Sequence, residues 1–248
     1  MTPNEQIRKA REMLNTMADM FRDMAEDLED LSNNLAAIGM ENIKGLEPIQ
    51  GFTTACELMR SGKPLPLGWI IHTPLKDGRV AKWRVIDNAG EYFPDNPSAV
   101  VQLAEILDYR PFSKADKKHP WGWNNYEASE LAAWLENEFF QSLADNDRAR
   151  VKPRTDLGSE RLHLWLLSED EAGFGDLADA FDLYACEKQD EQEERRQLKD
   201  SDGDAAIWWL RAPYSGTATS VRVVYTDGSL YNYNAMNAYG VAPACYIG

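Results

Sequence analysis

The sequence predicts a mixed α+β domain preceded by a long N-terminal coiled-coil helix. Three observations support this fold class. Apolar residues repeat at heptad spacing near the N-terminus, short β-branched runs separated by turn signals follow, and residues 205–248 carry only three charged side chains. We expect the helix to occupy residues 1–40 and the globular domain to occupy residues 41–248.

The N-terminal heptads span residues 7–38, where apolar spacings of three and four alternate over about five repeats, as is typical of a coiled coil. The contact positions are Ile7, Leu14, Phe21, Leu28 and Leu35 in one series and Ala10, Met17, Met24, Leu31 and Ile38 in the other. Flanking positions such as Met13 and Met20 are also apolar, which favours a homo-oligomer of three or more helices, with a trimer preferred. The alternative is one helix lying across the protein's own globular part. Gly39 is the expected end of the helix.

Residues 51–144 predict helices and one hairpin. GFTTACELMRSGKPLPLGW indicates a short helix and a turn, and WIIHTP and GRVAKWRVID indicate two strands joined at Asp77-Gly78, with Trp83 and Val85 in the core. Two further helices are expected, one from SAVVQLAEILDY and one from YEASELAAWLENEFFQSLA. The second is expected to bury Leu131, Trp134, Leu135 and Phe139.

The segment RLHLWLLSEDEAGFGDLADAF predicts a strand ending at Ser168 and then a helix, with Ser168 and Glu171 at the spacing of a capping box. The acidic residues 187–204 fit either a disordered segment or an inserted helix. Asp200, Asp202 and Asp204 alternate as at the start of a calcium loop, but the later Glu ligand is missing. We therefore expect an acidic turn there, and we predict no metal and no cofactor.

The tail, residues 205–248, predicts three strand regions. In AIWWLRAP, the adjacent Trp208 and Trp209 project to opposite faces, and Arg211 is placed to bind loop carbonyls. SVRVVYTDGSLYNYN predicts a hairpin with its turn at Asp227-Gly228. YGVAPACYI is expected to form one final strand that buries Val241, Ala244 and Ile247. The tail also holds six of the ten tyrosines.

Composition and motifs exclude several function classes. A net charge of −15 disfavours nucleic acid or an anionic membrane surface as the partner. No apolar run reaches membrane-spanning length, and the N-terminus lacks the apolar core of a secretory signal. The three histidines are scattered, and no nucleophile elbow or phosphate-binding glycine loop occurs. The sequence therefore predicts a protein that is not an enzyme.

Six motifs in order carry a family resemblance: AKWRVID, WNNYEASELAAWLENEF, LHLWLLSEDE, WWLRAP, DGSL and YGVAPACYI. This set, over roughly residues 65–248, resembles a domain family of bacteria and their phages. Members with this ending resemble C-type-lectin-fold proteins related to formylglycine-generating enzymes, including the variable proteins of diversity-generating retroelements, such as phage tropism determinants. Ala212 and Ala242 depart from the family, which usually has Ser and Arg there.

The resemblance implies a C-type-lectin-like domain whose C-terminal segment, residues 205–248, displays a hypervariable ligand-binding surface on a fixed framework. The framework would comprise Trp208, Trp209, Leu210, Arg211, Gly228, Gly240, Val241, Pro243 and Ala244. The variable ligand-binding residues would be Tyr214, Ser215, Thr217, Thr219, Ser220, Tyr225, Thr226, Tyr231, Asn232, Tyr233, Asn234, Asn237, Ala238 and Tyr239. Tyrosines with Asn and Ser are also the chemistry of antibody binding loops, which supports the same interpretation on physical grounds.

The expected function is receptor binding by a phage or prophage protein, with a host-surface protein or glycan as partner and a virion or bacterial cytoplasm as its location. One alternative is a structural or assembly protein whose tail contacts a neighbouring subunit. Another is an enzyme resembling the sulfatase-activating relatives of this fold, which the missing cysteine pair disfavours. The binding hypothesis fails if Tyr231, Tyr233 and Tyr239 are all buried.

Overall fold

A computed structural model describes residues 22, 46–88, 97–154 and 162–248. The chain divides into two compact units, Met1–Lys44 and Gly45–Gly248. The heptad positions and Gly39 lie outside the described residues, so the coiled coil remains a prediction. Within the second unit the secondary structure is mainly β, with short helices, which makes it a mixed α+β domain.

The larger sheet has six strands in the order β1-β2-β3-β4-β14-β7. The strands are β1 (Ile49–Gln50), β2 (Ile70–Pro74), β3 (Val80–Asp87), β4 (Ala99–Leu103), β7 (Val151–Lys152) and β14 (Ala244–Ile247). All are paired antiparallel except β1 with β2. Every residue of β4 and β14 is buried, so the C-terminal strand lies in the centre of the core.

The second sheet has five strands in the order β12-β11-β10-β13-β6 and is built mainly from the tail. Its strands are β6 (Tyr109–Pro111), β10 (Trp208–Pro213), β11 (Ser220–Val224), β12 (Leu230–Asn234) and β13 (Ala238–Gly240). A small third sheet joins β5 (Glu105–Ile106), β8 (Leu198–Asp200) and β9 (Ala205–Ala206). The hairpins predicted at Asp77-Gly78 and Asp227-Gly228 are confirmed.

The described helices are short. They are α1 (Gly51–Arg60), α2 (Glu130–Trp134), α3 (Phe140–Ser142), α4 (Asp145–Arg148) and α5 (Gln189–Arg196), with a π-helical turn at Leu135–Phe139 and a 3₁₀ turn at Leu177–Asp179. Helix α1 buries Phe52, Ala55, Cys56 and Met59, the spacing of one helical face. Among the described residues, none of the helices has the length and apolar character needed to cross a membrane.

One predicted helix is wrong. SAVVQLAEILDY forms β4 and β5 rather than a helix. The reason is burial: β4 lies between two strands and all five of its residues are buried, so the strand is apolar except for Gln102 and lacks the alternation of apolar and polar residues that marks a half-exposed strand. A short apolar run of this kind has the same appearance in a buried helix and in a buried strand. The second helix was predicted correctly, and its Leu131, Trp134, Leu135 and Phe139 are buried.

Two further corrections concern residues 162–181 and the chain end. Instead of a strand, residues 162–167 make isolated bridges from Leu162 to Arg154 and from Trp165 to Ala244. After Ser168 the chain forms turns and the short 3₁₀ segment rather than the expected helix. YGVAPACYI forms two strands, β13 and β14, which belong to different sheets. Of the two possibilities for residues 187–204, the structure contains a helix, α5.

Candidate functional site

The framework residues of the tail bury their side chains on both faces of the five-stranded sheet. Trp208 and Trp209 are completely buried. The indole nitrogen of Trp208 donates to the Arg196 carbonyl at 3.0 Å, and that of Trp209 donates to the Arg110 carbonyl at 2.9 Å. Each Trp therefore ties β10 to a separate part of the domain, one to the end of α5 and the other to β6.

Gly228 is required by close packing in the β11–β12 turn. Its φ angle is +88°, in the left-handed region, and a Cβ added there would lie 2.1 Å from the Glu193 carbonyl oxygen. The turn is held against α5 by Arg196, whose buried guanidinium donates to the Gly228 carbonyl at 3.0 Å and to the Gly173 carbonyl at 3.1 Å. The acidic helix α5 is thus part of the support for the tail hairpin.

Four tyrosines of the tail form a continuous cluster, called here the tyrosine cluster: Tyr225, Tyr231, Tyr233 and Tyr239. Ring centroids are 6.1 Å apart from the first to the second, 5.2 Å from the second to the third, and 4.8 Å from the third to the fourth. Tyr239 then packs edge-on against buried Trp209 at 5.1 Å. The cluster is therefore a row of aromatic rings fixed at one end to the core.

The strand register places this row on one face of the sheet. Tyr231 pairs with Val223, which in turn pairs with Trp209, and directly opposite residues of antiparallel strands share a face. Two strands, β11 and β10, separate β12 from β13, so the ring contact between Tyr233 and Tyr239 requires side chains that lean toward each other across this face.

The tyrosine cluster is accessible to a partner. Tyr231 is 54% exposed, and the other three members are half-buried. Partial burial, with the neighbouring phenols Tyr239, Tyr225 and Tyr231, raises the pKa of Tyr233, which favours its neutral hydroxyl, a hydrogen-bond donor as well as an acceptor. Burial of Tyr231, Tyr233 and Tyr239 would have refuted the binding hypothesis, and none of the three is fully buried.

The remaining candidate ligand residues lie elsewhere on the tail. Asn232 pairs with Arg222 on the opposite face of the sheet, where the guanidinium binds Glu169 at 3.0 Å and lies 4.9 Å from the Tyr214 ring. The others lie in the loop of residues 214–219, in the turns and at strand ends. The exposed ones are Ser215, Thr217 and Ala238, and the half-buried ones are Tyr214, Thr219, Thr226, Asn234 and Asn237. The structure thus distributes the candidates over two sheet faces and the loop.

Ser220 does not belong to the ligand surface. Its side chain is buried in β11, and its hydroxyl lies 3.5 Å from the Asn234 side-chain oxygen. Its carbonyl accepts hydrogen bonds from the Tyr214 backbone nitrogen at 3.0 Å and from the Asn124 amide at 3.1 Å. Ser220 was assigned by residue type alone, and its position at the start of a paired strand makes it a supporting residue instead.

A second segment, residues 119–124, completes this end of the domain and was missed in the sequence. Trp121 is 57% exposed, Trp123 is stacked on His119 with ring centroids 5.1 Å apart, and the Trp121 carbonyl accepts from the Met236 backbone nitrogen. Gly122 has φ +81°, and an added Cβ would meet the Ser113 carbonyl at 2.8 Å. The signal was present in HPWGWNNY, where two tryptophans flank a glycine.

Asn124 holds the 214–219 loop in place. Its side-chain amide donates to the Thr217 carbonyl at 2.9 Å and to the Ser220 carbonyl at 3.1 Å. Its backbone nitrogen donates to the Ala218 carbonyl. The loop that carries exposed candidate ligand residues is therefore ordered by a residue some 90 positions earlier in the chain.

Replacing this anchor tests its role. We expect Asn124→Ala to lower the free energy of unfolding by about 2 kcal/mol, since the side-chain hydrogen bonds to the Thr217 and Ser220 carbonyls are lost at about 1 kcal/mol each. Limited proteolysis is expected to cut the 214–219 loop faster in this variant. The control is Asn125→Ala, because the neighbouring Asn125 only bonds locally, to the Ala128 nitrogen. Equal loop cleavage in the two variants would show that Asn124 does not order the loop.

Arg211 belongs to a buried ion cluster below β10. Its guanidinium binds both carboxylate oxygens of Glu171, and Arg154 donates to Glu171 Oε1 at 2.6 Å. Arg211 also donates to the Leu166 carbonyl at 2.8 Å, as its predicted role of binding loop carbonyls requires. Burial by itself would raise the pKa of Glu171, but the hydrogen bonds and charge of Arg211 and the charge of Arg154 outweigh it and lower the pKa. This cluster is part of the framework.

The predicted capping box is formed at this cluster, although no helix follows. The Ser168 backbone nitrogen donates to Glu171 Oε2 at 3.0 Å, and the Glu171 nitrogen donates to the Ser168 hydroxyl at 3.0 Å. The same carboxylate that caps the turn therefore also pairs with two guanidinium groups. Its buried position explains why the segment forms a turn around Glu171 rather than a solvent-exposed helix.

The three aspartates of DSDGD form a turn. Asp200 accepts the backbone hydrogens of Asp202 and Asp204 at 3.1 and 3.0 Å, and it accepts the Tyr109 hydroxyl at 3.0 Å. Partial burial and this bond to Asp200 raise the pKa of Tyr109 to about 12. Over the described ranges, no group of three or more His, Cys, Asp or Glu side chains is arranged to hold a metal ion.

Comparison with known proteins identifies one family. A family model described as a domain of unknown function, DUF6273, matches residues 103–248. This region includes both tail hairpin strands, the 119–124 segment and the buried ion cluster, whereas the AKWRVID strand lies before it. No curated protein and no solved structure matches the chain.

Proposed function

The chain belongs to the DUF6273 family, a domain of unknown function, and we propose that its function is ligand recognition through the tyrosine cluster and the adjoining tail loops. The observation that carries the proposal is the row of four ring contacts that runs from Tyr225 through exposed Tyr231 to buried Trp209. Tyrosine offers a large amphipathic contact area with few rotatable bonds, so little side-chain conformational entropy is lost when a ligand binds. Rings that already pack against one another lose still less conformational entropy on binding.

The support for this surface is separate from the surface itself. The hairpin is held by backbone pairing, by the carbonyls that Arg196 binds and by the close approach of Gly228 to α5. None of these contacts uses the side chain of a cluster tyrosine or of Ser215 or Thr217. Replacement of those side chains leaves the framework contacts intact, which suits a segment whose residues vary while its fold stays fixed.

We extend the proposal to the whole chain on the resemblance noted in its motifs. In this account the domain is C-type-lectin-like, the tail is the variable region of a diversity-generating retroelement, and residues 1–40 form a homotrimeric coiled coil. The partner is a host-surface protein or glycan. The protein itself is located on a phage particle or in the bacterial cytoplasm. Three linked copies raise weak single-site binding through avidity.

A binding screen tests the proposal. Fluorescently labelled full-length protein is applied to one array of glycans and one array of random peptides. We expect a restricted set of probes to retain the protein in a saturable manner. Absence of any retained probe on both arrays, with the protein folded by circular dichroism, would overturn ligand recognition.

The diversification is tested in the DNA of the locus. We expect a near-identical repeat of the last 120 or so bases of the gene, differing at adenines, beside a reverse transcriptase gene. A locus without the repeat would refute diversification. It would not affect the proposed binding function, which the array screen tests.

One observation favours a second candidate function, contact with a neighbouring subunit in an assembly. Three exposed apolar side chains lie in the 119–124 segment and in the turn between β12 and β13: Trp121, Trp123 and Met236. Such residues are enriched in protein interfaces. Under this alternative, Trp121→Ala would reduce the oligomer mass measured by light scattering. Under ligand recognition the mass is unchanged.

A further inference from the structure

A small cleft adjoins the tyrosine cluster on the same face of the sheet. Arg110 in β6 pairs directly with Tyr239 in β13, so the two side chains share this face. The cleft has a volume of about 290 Å³ and is lined by Arg110, Lys114, Leu131, Trp134 and Asn137 among others. It therefore extends the tyrosine surface at the end where the row of rings meets the core.

Arg110 is placed here without the partners that a half-buried guanidinium needs. The group lies 3.9 Å from the centre of the Trp134 ring. Its Nε atom is buried and has no hydrogen-bond partner among the described residues, and within that part of the chain no carboxylate pairs with the guanidinium. A buried donor left unbonded is unfavourable, and because this Nε atom is not accessible, a ligand in the cleft would meet the terminal nitrogens of the guanidinium, which make no hydrogen bond to a described residue. Stacking on Trp134 fixes the plane of the guanidinium beside the cleft.

The other polar groups of the cleft define the charge of a matching ligand. Lys114 is a second cation whose ammonium makes no ion pair with a described residue, and its backbone nitrogen donates to the Glu130 carboxylate at 2.9 Å, so that carboxylate already has a partner. Glu138 also lines the cleft. Asn137 and Glu138 belong to the π-helical turn Leu135–Phe139, a geometry that is rare and is frequently found at functional sites.

We infer that this cleft is a subsite for a carboxylate carried by a peptide or protein ligand, an Asp or Glu side chain or a chain end. The inference rests on the proposed function and names the chemistry of its partner. A planar guanidinium matches a carboxylate with two parallel hydrogen bonds, and the volume suits one small group. The Trp134 face is covered by Arg110, so the cleft offers no bare aromatic face to a sugar ring, while Pro111 and Leu131 suit methylene groups.

The test compares four proteins on an array of random peptides: wild type, Arg110→Gln, Arg110→Lys and Arg148→Gln. The last is the matched control, because it removes the same charge from a residue outside the cleft. We expect peptides that retain wild type to be enriched in Asp and Glu. Arg110→Gln is expected to bind these peptides at least about tenfold more weakly, Arg110→Lys to an intermediate degree, and Arg148→Gln as wild type does.

Two results would overturn the inference. One is a set of retained peptides without enrichment in acidic residues, and the other is Arg110→Gln binding within about twofold of wild type. If Arg110→Gln does not fold, the retained peptides are remade with Asn and Gln in place of Asp and Glu and tested on wild type, where the same loss is expected. Retention of glycans but of no peptides refutes the carboxylate subsite and leaves ligand recognition standing. Retention of nothing on either array refutes ligand recognition itself.

Discussion

Glu171→Gln is expected to lower the free energy of unfolding by about 4 kcal/mol, because it removes the carboxylate with which both Arg154 and Arg211 pair. The side chains of all three residues are largely buried. A neutral amide removes the negative charge that the two guanidinium groups share, and buried charges that lose a partner are strongly unfavourable. Denaturant titration followed by tryptophan fluorescence measures the change.

The matched control is Glu169→Gln, two residues earlier. Glu169 also pairs with an arginine, Arg222 at 3.0 Å, but both side chains are more exposed. We expect this substitution to lower the free energy of unfolding by no more than about 1 kcal/mol. If Glu171→Gln costs as little as Glu169→Gln, the buried cluster does not support the tail.

The same cluster predicts how stability depends on pH. The pKa of Glu171 is lower in the folded state than its unfolded value of about 4.3. The ion pairs of Glu171 therefore contribute fully to the free energy of unfolding above the unfolded pKa. This contribution is lost as the pH falls through the folded pKa. The stability difference between wild type and Glu171→Gln should accordingly narrow below about pH 4. A constant difference at every pH would contradict the lowered pKa.

Gly228→Ala is expected to lower the free energy of unfolding by about 3 kcal/mol. A methyl group at φ +88° costs about 1 kcal/mol, and the added carbon would lie 2.1 Å from the Glu193 carbonyl oxygen. Either the turn or α5 must move, and the hydrogen bond of Arg196 to the Gly228 carbonyl is then lost, at about 2 kcal/mol for a charged donor. Denaturant titration gives the magnitude.

Gly78→Ala separates the two causes. Gly78 has φ +92° in the hairpin turn between β2 and β3, and nothing lies within 4 Å of an added Cβ. This variant carries only the backbone cost, and we expect it to lose about 1 kcal/mol. Equal losses at the two glycines would show that contact with α5 does not stabilise the tail hairpin.

The local signals in the sequence were sufficient for the hairpins and for the buried tryptophans. Asp77-Gly78 and Asp227-Gly228 specify tight turns by residue type, and β-branched runs flank both. Burial of both Trp208 and Trp209 followed from the alternation of side chains along a strand. These features depend on residues close in sequence, so one sequence is enough to predict them.

The contacts that shape the candidate site depend on distant residues and could not be predicted in this way. Asn124 reaches the loop at Thr217, and Arg110 meets Tyr239 only through strand pairing between β6 and β13. The strand β4 was predicted as a helix for a related reason, since the burial of both its faces depends on residues that are distant in sequence and pack against the sheet. Residue type alone also placed Ser220 among exposed residues, whereas its position in a paired strand buries it.

The most direct test of the central claim is a pair of tyrosine substitutions, measured on the probes that retain wild type in the array screen. Tyr231→Ala with Tyr233→Ala removes the exposed tyrosine of the cluster and its half-buried neighbour in the same strand, β12. Tyr109→Ala is the matched control, since Tyr109 is 48% exposed and lies outside the cluster, bonded to Asp200. We predict that the double variant binds at least about tenfold more weakly, as loss of central tyrosines does in other interfaces, while the control binds as wild type does. Binding that is equal in the double variant and the control would contradict recognition through the tyrosine cluster.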